Sequence, residues 1–226
     1  SIGNLGGGSD HVAFYMHVGV PSLSGGAGGQ NLYHSNYDSF YFYKKFVDPE
    51  FKMGGMVEHL VGLLALRMAN AEIIPYNINR YAFDLNLHFR NATKKIKEFN
   101  TNFKGFIKTV DAIRALKKTS ESLTSDISIL LKTNNLSNKK IKSINQQLIE
   151  FEKSFISEKG MYFGSWYKSL YAASDPFSGY AAWILPGVEY EIALMKKDSF
   201  EEWDLRYSKA INSLGIKMEE LIKELN

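Results

Sequence analysis

Cysteine is absent from the 226 residues, which excludes disulfides, thiolate metal sites and a cysteine nucleophile. This leaves the compartment open, because a chain that is 45% hydrophobic can build its core without staples wherever it folds. A charge excess of one sign is missing too. The 27 basic and 24 acidic residues leave a formal net charge of +3, too even to point to nucleic acid. The basic stripe Lys94, Lys95, Lys97, Lys104 and Lys108 reads as a solvated helix face. No lysine or arginine precedes Lys44. Long hydrophobic runs are also lacking. The most apolar stretch, Met56 to Met68, is broken by Glu58, His59 and Arg67; it is too short and charged to span a bilayer and reads as a buried helix. Ser1-Ile2-Gly3-Asn4 has neither the basic nor the apolar part of a leader, and reads as the middle of a longer chain.

What is present falls into two textures. Half of the glycines lie in the first 35 residues, largely in Gly6-Gly7-Gly8 and Gly25-Gly26-Ala27-Gly28-Gly29, and glycine becomes scarce after Asn79. The first part alternates in the α/β manner. Asp10 is placed to cap a short helix ending near Gly19, and Pro21 to Ser24 reads as a short buried strand. Phe40 to Val47 is aromatic and expected to be packed. Met53 to Ala71 is apolar on nearly every face and expected to be covered on all sides.

The second part is helical by periodicity. Its stripes are Ala82, Leu85, Phe89, Ala92, Ile96 and Phe99; Phe103, Phe106, Val110, Ile113 and Leu116, running on to Leu130; Ile141, Ile144, Leu148, Phe151 and Phe155; and Trp203, Tyr207, Ala210, Leu214, Met218, Leu221 and Leu225. Ser199 and Glu202 have the spacing of a capping box. Four amphipathic helices joined by short connections predict a four-helix bundle. Residues 160–187 break the pattern with aromatics, glycine and serine, including Asp175-Pro176-Phe177. Such excursions are often functional, although taken alone this one reads as a packed connector.

Few local motifs carry chemistry. The first glycine run lacks the Gly-Lys-Ser/Thr ending of a phosphate loop and is not a dinucleotide fingerprint; it reads as a tight turn into a helix. None of His11, His17, His34, His59 and His88 has the His-Glu-x-x-His spacing of a helical zinc site. His34 stands apart because it lies in a loop, Asn31-Leu32-Tyr33-His34-Ser35, of the kind that binds ligands in α/β folds. No nucleophile elbow is present. Asp10, Asp38 and Asp48 are candidate carboxylates that spacing alone does not pair.

Taken in order, several segments resemble the glutamate carboxypeptidase and transferrin receptor family of zinc exopeptidases. They are Leu5-Gly6-Gly7-Gly8-Ser9-Asp10 with Val18-Gly19-Val20-Pro21-Ser22; Leu32-Tyr33-His34-Ser35-Asn36-Tyr37-Asp38-Ser39 running into Phe46-Val47-Asp48-Pro49-Glu50-Phe51; Ala71-Glu72-Ile73-Ile74-Pro75-Tyr76; and Pro186-Gly187. The resemblance implies a mostly helical C-terminal part. Residues 1–78 would be the end of an α/β zinc-peptidase domain, and residues 79–226 an all-α four-helix-bundle dimerisation domain. It implies two zinc ions held by two histidines and three carboxylates, with a glutamate as general base on the bridging water. His34 matches the last histidine ligand. The other ligands and the base would precede Ser1, so the chain by itself is expected to be inactive. Tyr33 matches a donor to the developing oxyanion, Gly8 and Ser9 the loop lining the cleft, and Tyr180 a tyrosine that grips the substrate carboxylate.

The resemblance further implies a peptide substrate, a homodimer and an extracytoplasmic or secreted location. No nucleic-acid partner is expected, and no membrane segment in this chain. Two alternatives remain open: a catalytically inactive, receptor-like member, or a helical interaction module. One departure bears on specificity. Family members that prefer C-terminal glutamate carry arginines where this chain has Ser24-Gly25-Gly26-Ala27, and a lysine where it has Gly179. A buried substrate carboxylate needs a cation or several N–H donors, so the expectation shifts to a neutral or apolar C-terminal residue.

Overall fold

The structure, a computed structural model, describes residues 4–26, 28, 31–133 and 136–225. It divides into two compact units. One joins the residues up to Ser22 to those from Tyr76 onward; the other spans Leu23–Pro75.

Long helices make up most of the first unit: α3 (Asn79–Phe99), α4 (Ile107–Lys132), α5 (Asn138–Glu150) and α7 (Phe200–Leu225). The predicted stripes of α3 and α7 are their buried faces. Ala82, Leu85, Phe89, Ala92 and Ile96 are buried on α3, and Trp203, Tyr207, Ala210, Leu214, Met218 and Leu221 on α7. On α4 the buried line follows the predicted one at Ile113, Leu116 and Leu123 and departs from it at Val110. Thr109, Ala112, Ile113, Leu116, Ser120 and Leu123 lie inside, while Val110 is exposed. Asp204 of α7 bonds to Thr109 at this point. Its carboxylate accepts the amides of Lys108 (3.0 Å) and Thr109 (2.8 Å), and its carbonyl accepts the Thr109 hydroxyl (3.0 Å). The free N–H groups at the start of α4 are thus satisfied from another helix, and Thr109 is drawn inward. Helix α4 packs along α7 and also against α3, and α5 packs against α7.

Between α5 and α7 the chain forms a 3₁₀ turn (Glu152–Phe155), a two-stranded antiparallel hairpin of β1 (Ala172–Ser174) and β2 (Ala182–Ile184), and helix α6 (Pro186–Ala193). The Tyr81 hydroxyl donates to the half-buried carboxyl of Glu152 and pins α3 to the turn. Ser199 and Glu202 serve other partners than a capping box. The Ser199 hydroxyl donates to Glu191 at 2.8 Å, and Glu202 accepts from Tyr162. Glu191 is fully buried and needs the donor more than the helix end does.

The N-terminal residues belong to this hairpin region. A π-helical turn, Phe14–Val18, ends at Gly19 as expected, but no side chain caps it, so Asp10 does not play that part. Tyr15 and Met16 are buried with Ala172 and Ala173 of β1, and the Met16 carbonyl accepts the amides of Lys168 (2.9 Å) and Ser169 (2.8 Å). Pro21 to Ser24 forms no strand: a strand exists only with a ladder partner, and the described residues offer it none.

In the second unit, Ser39 caps the short helix α1 (Phe40–Phe42), which a π-helical turn, Tyr43–Val47, continues. Phe40, Tyr41 and Phe46 are exposed, against the expectation of packing. Helix α2 (Lys52–Asn70) forms where the apolar stretch was read, yet none of its residues is buried; Leu60, Val61 and Leu66 are each more than half exposed. Asp48 holds its start. The carboxylate accepts the amides of Lys52 and Gly54 (both 2.9 Å) and the Tyr43 hydroxyl (3.0 Å). The Gly54 amide is the main reason its pKa lies below the ordinary carboxylate range. That candidate carboxylate is therefore a structural cap. No helix among the described residues is long and apolar enough to cross a membrane.

Candidate functional site

Two of the segments singled out in the sequence lie far apart in the chain and meet in the first unit: the glycine run at its start and the turn between β1 and β2. The Gly7 amide donates to the Tyr180 carbonyl at 3.1 Å. A methyl group on Gly7 would stand 2.0 Å from the Gly179 carbonyl oxygen and 2.6 Å from the Ser174 Cβ, so the two backbones approach as only glycine permits. Gly8 has φ +81°, and a Cβ there would come within 2.8 Å of the Tyr180 ring. The run is gripped from behind. The Gly6 carbonyl accepts the Tyr15 hydroxyl at 3.0 Å and lies 3.1 Å from His11 Nε2, which makes Nε2 the protonated ring nitrogen. Burial pushes the Tyr15 pKa up to about 12, which keeps its hydroxyl a donor.

The turn itself is organised by Asp175, which is only 5% exposed. Its carboxylate accepts the amides of Phe177 (2.9 Å), Ser178 (2.6 Å) and Ala181 (3.0 Å) and the Ser178 hydroxyl. The Ser178 hydroxyl is the largest cause of a pKa below the ordinary carboxylate range. The Asp175 amide donates to the Ala181 carbonyl, and the Gly179 amide to the Asp175 carbonyl, each at 2.9 Å. Phe177 leans edge-on to Trp183 (5.8 Å between ring centres) and stacks on Tyr190 (6.4 Å). Phe177 and Tyr180 stay 67% and 54% exposed, so a heavily bonded turn displays two aromatic side chains. Its acidic organiser went unassigned in the sequence. The signal was there: Asp-Pro followed by Ser and Gly at the spacing of an Asx-type turn.

Tyr33 and His34 belong to the second unit. The Ser35 amide donates to the Leu32 carbonyl at 3.0 Å, the Ser35 hydroxyl donates to the same oxygen at 2.6 Å, and the Tyr37 amide donates to the Ser35 hydroxyl at 3.2 Å. This tight turn holds His34 at φ +60°, a left-handed conformation that costs a non-glycine residue about 1 kcal/mol. The imidazole stacks on the Tyr33 ring with centres 3.8 Å apart. Among the described residues no three His, Asp or Glu side chains come together to hold a metal ion. Two other histidines have packing roles. His17 Nδ1 lies 2.8 Å from the Trp166 carbonyl with the rings stacked, and His88 meets Tyr171 edge-on.

Residues 86–219 match the family model of the transferrin receptor-like dimerisation domain. The chain belongs to that family. Among curated proteins, it is 31% identical to a probable glutamate carboxypeptidase of Arabidopsis thaliana over 193 residues, 85% of this chain and 27% of that protein. It is 27% identical to a probable glutamate carboxypeptidase of Arthroderma benhamiae over 226 residues, 93% of this chain and 29% of that protein. It is 25% identical to an aminopeptidase of Mus musculus over 169 residues, 70% of this chain. The chain thus spans less than a third of the length of the relatives it matches. The match to the transferrin receptor-like dimerisation domain takes in α4, α5, the hairpin, α6, most of α3 and most of α7, and therefore includes the Asp175 turn and Tyr180.

Proposed function

We propose that this chain is part of a zinc-dependent exopeptidase of the glutamate carboxypeptidase kind, which releases C-terminal residues from small peptides. The contact between Gly8 and the Tyr180 ring is the observation that carries this reading. It joins the two segments to which the family resemblance assigns substrate binding, and it leaves the tyrosine exposed at the tip of a turn fixed by hydrogen bonds. In this reading Tyr180 donates its hydroxyl to the substrate carboxylate, and Gly8 and Ser9 line its cleft. Tyr33 donates to the oxyanion, an interaction worth about 3 kcal/mol in the transition state.

His34 is proposed as a zinc ligand. The residues of this chain do not by themselves make a site for zinc, since a catalytic ion needs three protein ligands. The general base and the remaining ligands belong to other parts of the protein, and the chain alone is expected to hydrolyse nothing. Bound zinc would polarise the scissile carbonyl. His34→Ala in the intact enzyme is expected to lower the zinc content and to abolish peptide hydrolysis. Full activity at undiminished zinc would refute the assignment and leave an inactive, receptor-like member as the better reading.

The substrate side chain is proposed to be uncharged. No Lys, Arg or His occurs from Ser169 to Met195, so the turn that displays Tyr180 brings no cation of its own. In a panel of dipeptides given to the intact enzyme, leucine or alanine at the C-terminal position should outperform glutamate and aspartate. The reverse order would show the specificity to be acidic.

The helices from residue 79 onward are proposed to form a four-helix bundle that pairs two subunits. Phe83, Leu87 and Ile216 lie outside the buried stripes and are exposed. Phe83 and Val110 also line an open groove of about 450 Å³ between α3 and α4. Such a surface suits a two-fold interface. Light scattering on the intact protein at micromolar concentration should give twice the subunit mass, and a clean monomer would count against the pairing.

A further inference from the structure

We propose that Asp175 is a positioning residue for substrate binding, whose carboxylate holds the turn between β1 and β2 in the one conformation that presents Tyr180. The proposal rests on the reading of Tyr180 as the group that grips the substrate carboxylate.

The connection from Asp175 to Tyr180 is a chain of hydrogen bonds. The Ser178 hydroxyl donates its single proton to the Asp175 carboxylate. Its oxygen is then left to accept the Tyr180 amide, at 3.1 Å. A hydroxyl has one proton and two lone pairs. An acceptor at Asp175 therefore dictates which way Ser178 points, and Ser178 in turn receives the backbone of Tyr180. The other carboxylate contacts close the turn from both ends, at Phe177 and at Ala181. Among the described residues no basic side chain takes part. The charge is balanced by amide dipoles and one hydroxyl, which ties its stabilisation to the geometry of the turn rather than to a flexible cation. The depressed pKa agrees with such a held anion.

The surroundings reinforce the arrangement from the other side. The Gly7 amide takes the Tyr180 carbonyl, and Gly8 leaves room for the ring. Asp175 fixes the backbone before and after the tyrosine, and the glycine run fixes the tyrosine itself. A turn of seven residues with two exposed aromatics would otherwise sample many conformations, and the entropy of ordering it would be lost at each binding event. Holding it in advance lowers KM without touching the reacting atoms.

The test uses the intact enzyme and a dipeptide ending in leucine. Asp175→Ala should raise KM about tenfold and leave kcat within about threefold. Asp175→Asn keeps one acceptor oxygen and should fall between wild type and alanine, which covers the case in which the alanine variant folds poorly. Combining Asp175→Ala with Tyr180→Phe should raise KM no further than the worse single change, because both act on one contact. Hydrogen exchange supplies a readout independent of turnover. The amides of Phe177, Ser178 and Ala181 should be protected in wild type and exchange rapidly in Asp175→Ala. Protection unchanged in Asp175→Ala would overturn the inference, as would a raised KM in Tyr180→Phe with none in Asp175→Ala. Loss of protection with KM unmoved in both Asp175→Ala and Tyr180→Phe would instead overturn the substrate-binding role of Tyr180, and this inference with it.

Discussion

Replacing Trp203 by alanine is expected to destabilise the helical unit by about 3–5 kcal/mol, the cost of emptying a large aromatic site in a core. Trp203 is fully buried at the start of α7. Its ring lies on Gly187, where a methyl group would stand 2.3 Å from ring carbons. The edge of Tyr162 meets it at 5.1 Å, and the guanidinium of Arg206 covers it at 4.3 Å. No single neighbour can fill the space left behind, since each is fixed elsewhere. Arg206 reaches the Ser157 hydroxyl and the Gly160 carbonyl, and Tyr162 donates to Glu202. The midpoint of thermal unfolding should fall on the order of ten degrees. Trp203→Phe should cost much less. It keeps most of the volume and removes an indole N–H that finds no partner among the described residues. Equal costs for the two changes would mean that the site is not the packed core described.

The second large effect is expected at Gly7. Gly7→Ala sets a methyl group against a backbone carbonyl, which cannot swing aside as a side chain can. Either the N-terminal segment or the β1–β2 turn has to move, and the bond from the Gly7 amide to Tyr180 goes with it. The expected cost is roughly 1–3 kcal/mol, the usual range for overpacking, accompanied by a raised KM in the intact enzyme. Gly62→Ala is the matched control. Gly62 lies inside α2 with nothing within 4 Å of an added Cβ, so alanine there should stabilise by up to about 1 kcal/mol through helix propensity. Denaturant unfolding of both variants measures the contrast. A neutral Gly7→Ala would mean that the close approach is not required.

The helical part was legible because its information is local. A buried face repeats every three or four residues, so the stripes of α3 and α7 could be read directly and are the buried faces. On α4 the same logic chose Val110 over Thr109, because hydrophobicity does not reveal an aspartate 95 residues away that draws a threonine inward. The first part was harder for a related reason. Pro21 to Ser24 and helix α2 were read as buried from composition, but burial is a property of what lies opposite, and that is not written in the segment itself. Of the candidate site, Gly8 and Tyr180 were named from resemblance, and the structure shows them in contact. Asp175 was visible only as part of an aromatic excursion. An aspartate that bonds to its own turn leaves a short-range signature, Asp-Pro-Phe-Ser-Gly, which differs from the patterns of metal-binding and catalytic carboxylates.

The cap that α7 supplies to α4 also bears on the order in which the protein is made. Asp204 leaves the ribosome long after Lys108 and Thr109, so during synthesis the start of α4 waits with its amides turned to water. The α3–α4 pair can collapse early, but its geometry is completed only when the following hundred or so residues have emerged, at a few to some twenty residues each second. Over those seconds the apolar face of α4 that α7 will cover stays open, and a chaperone has its opportunity to bind.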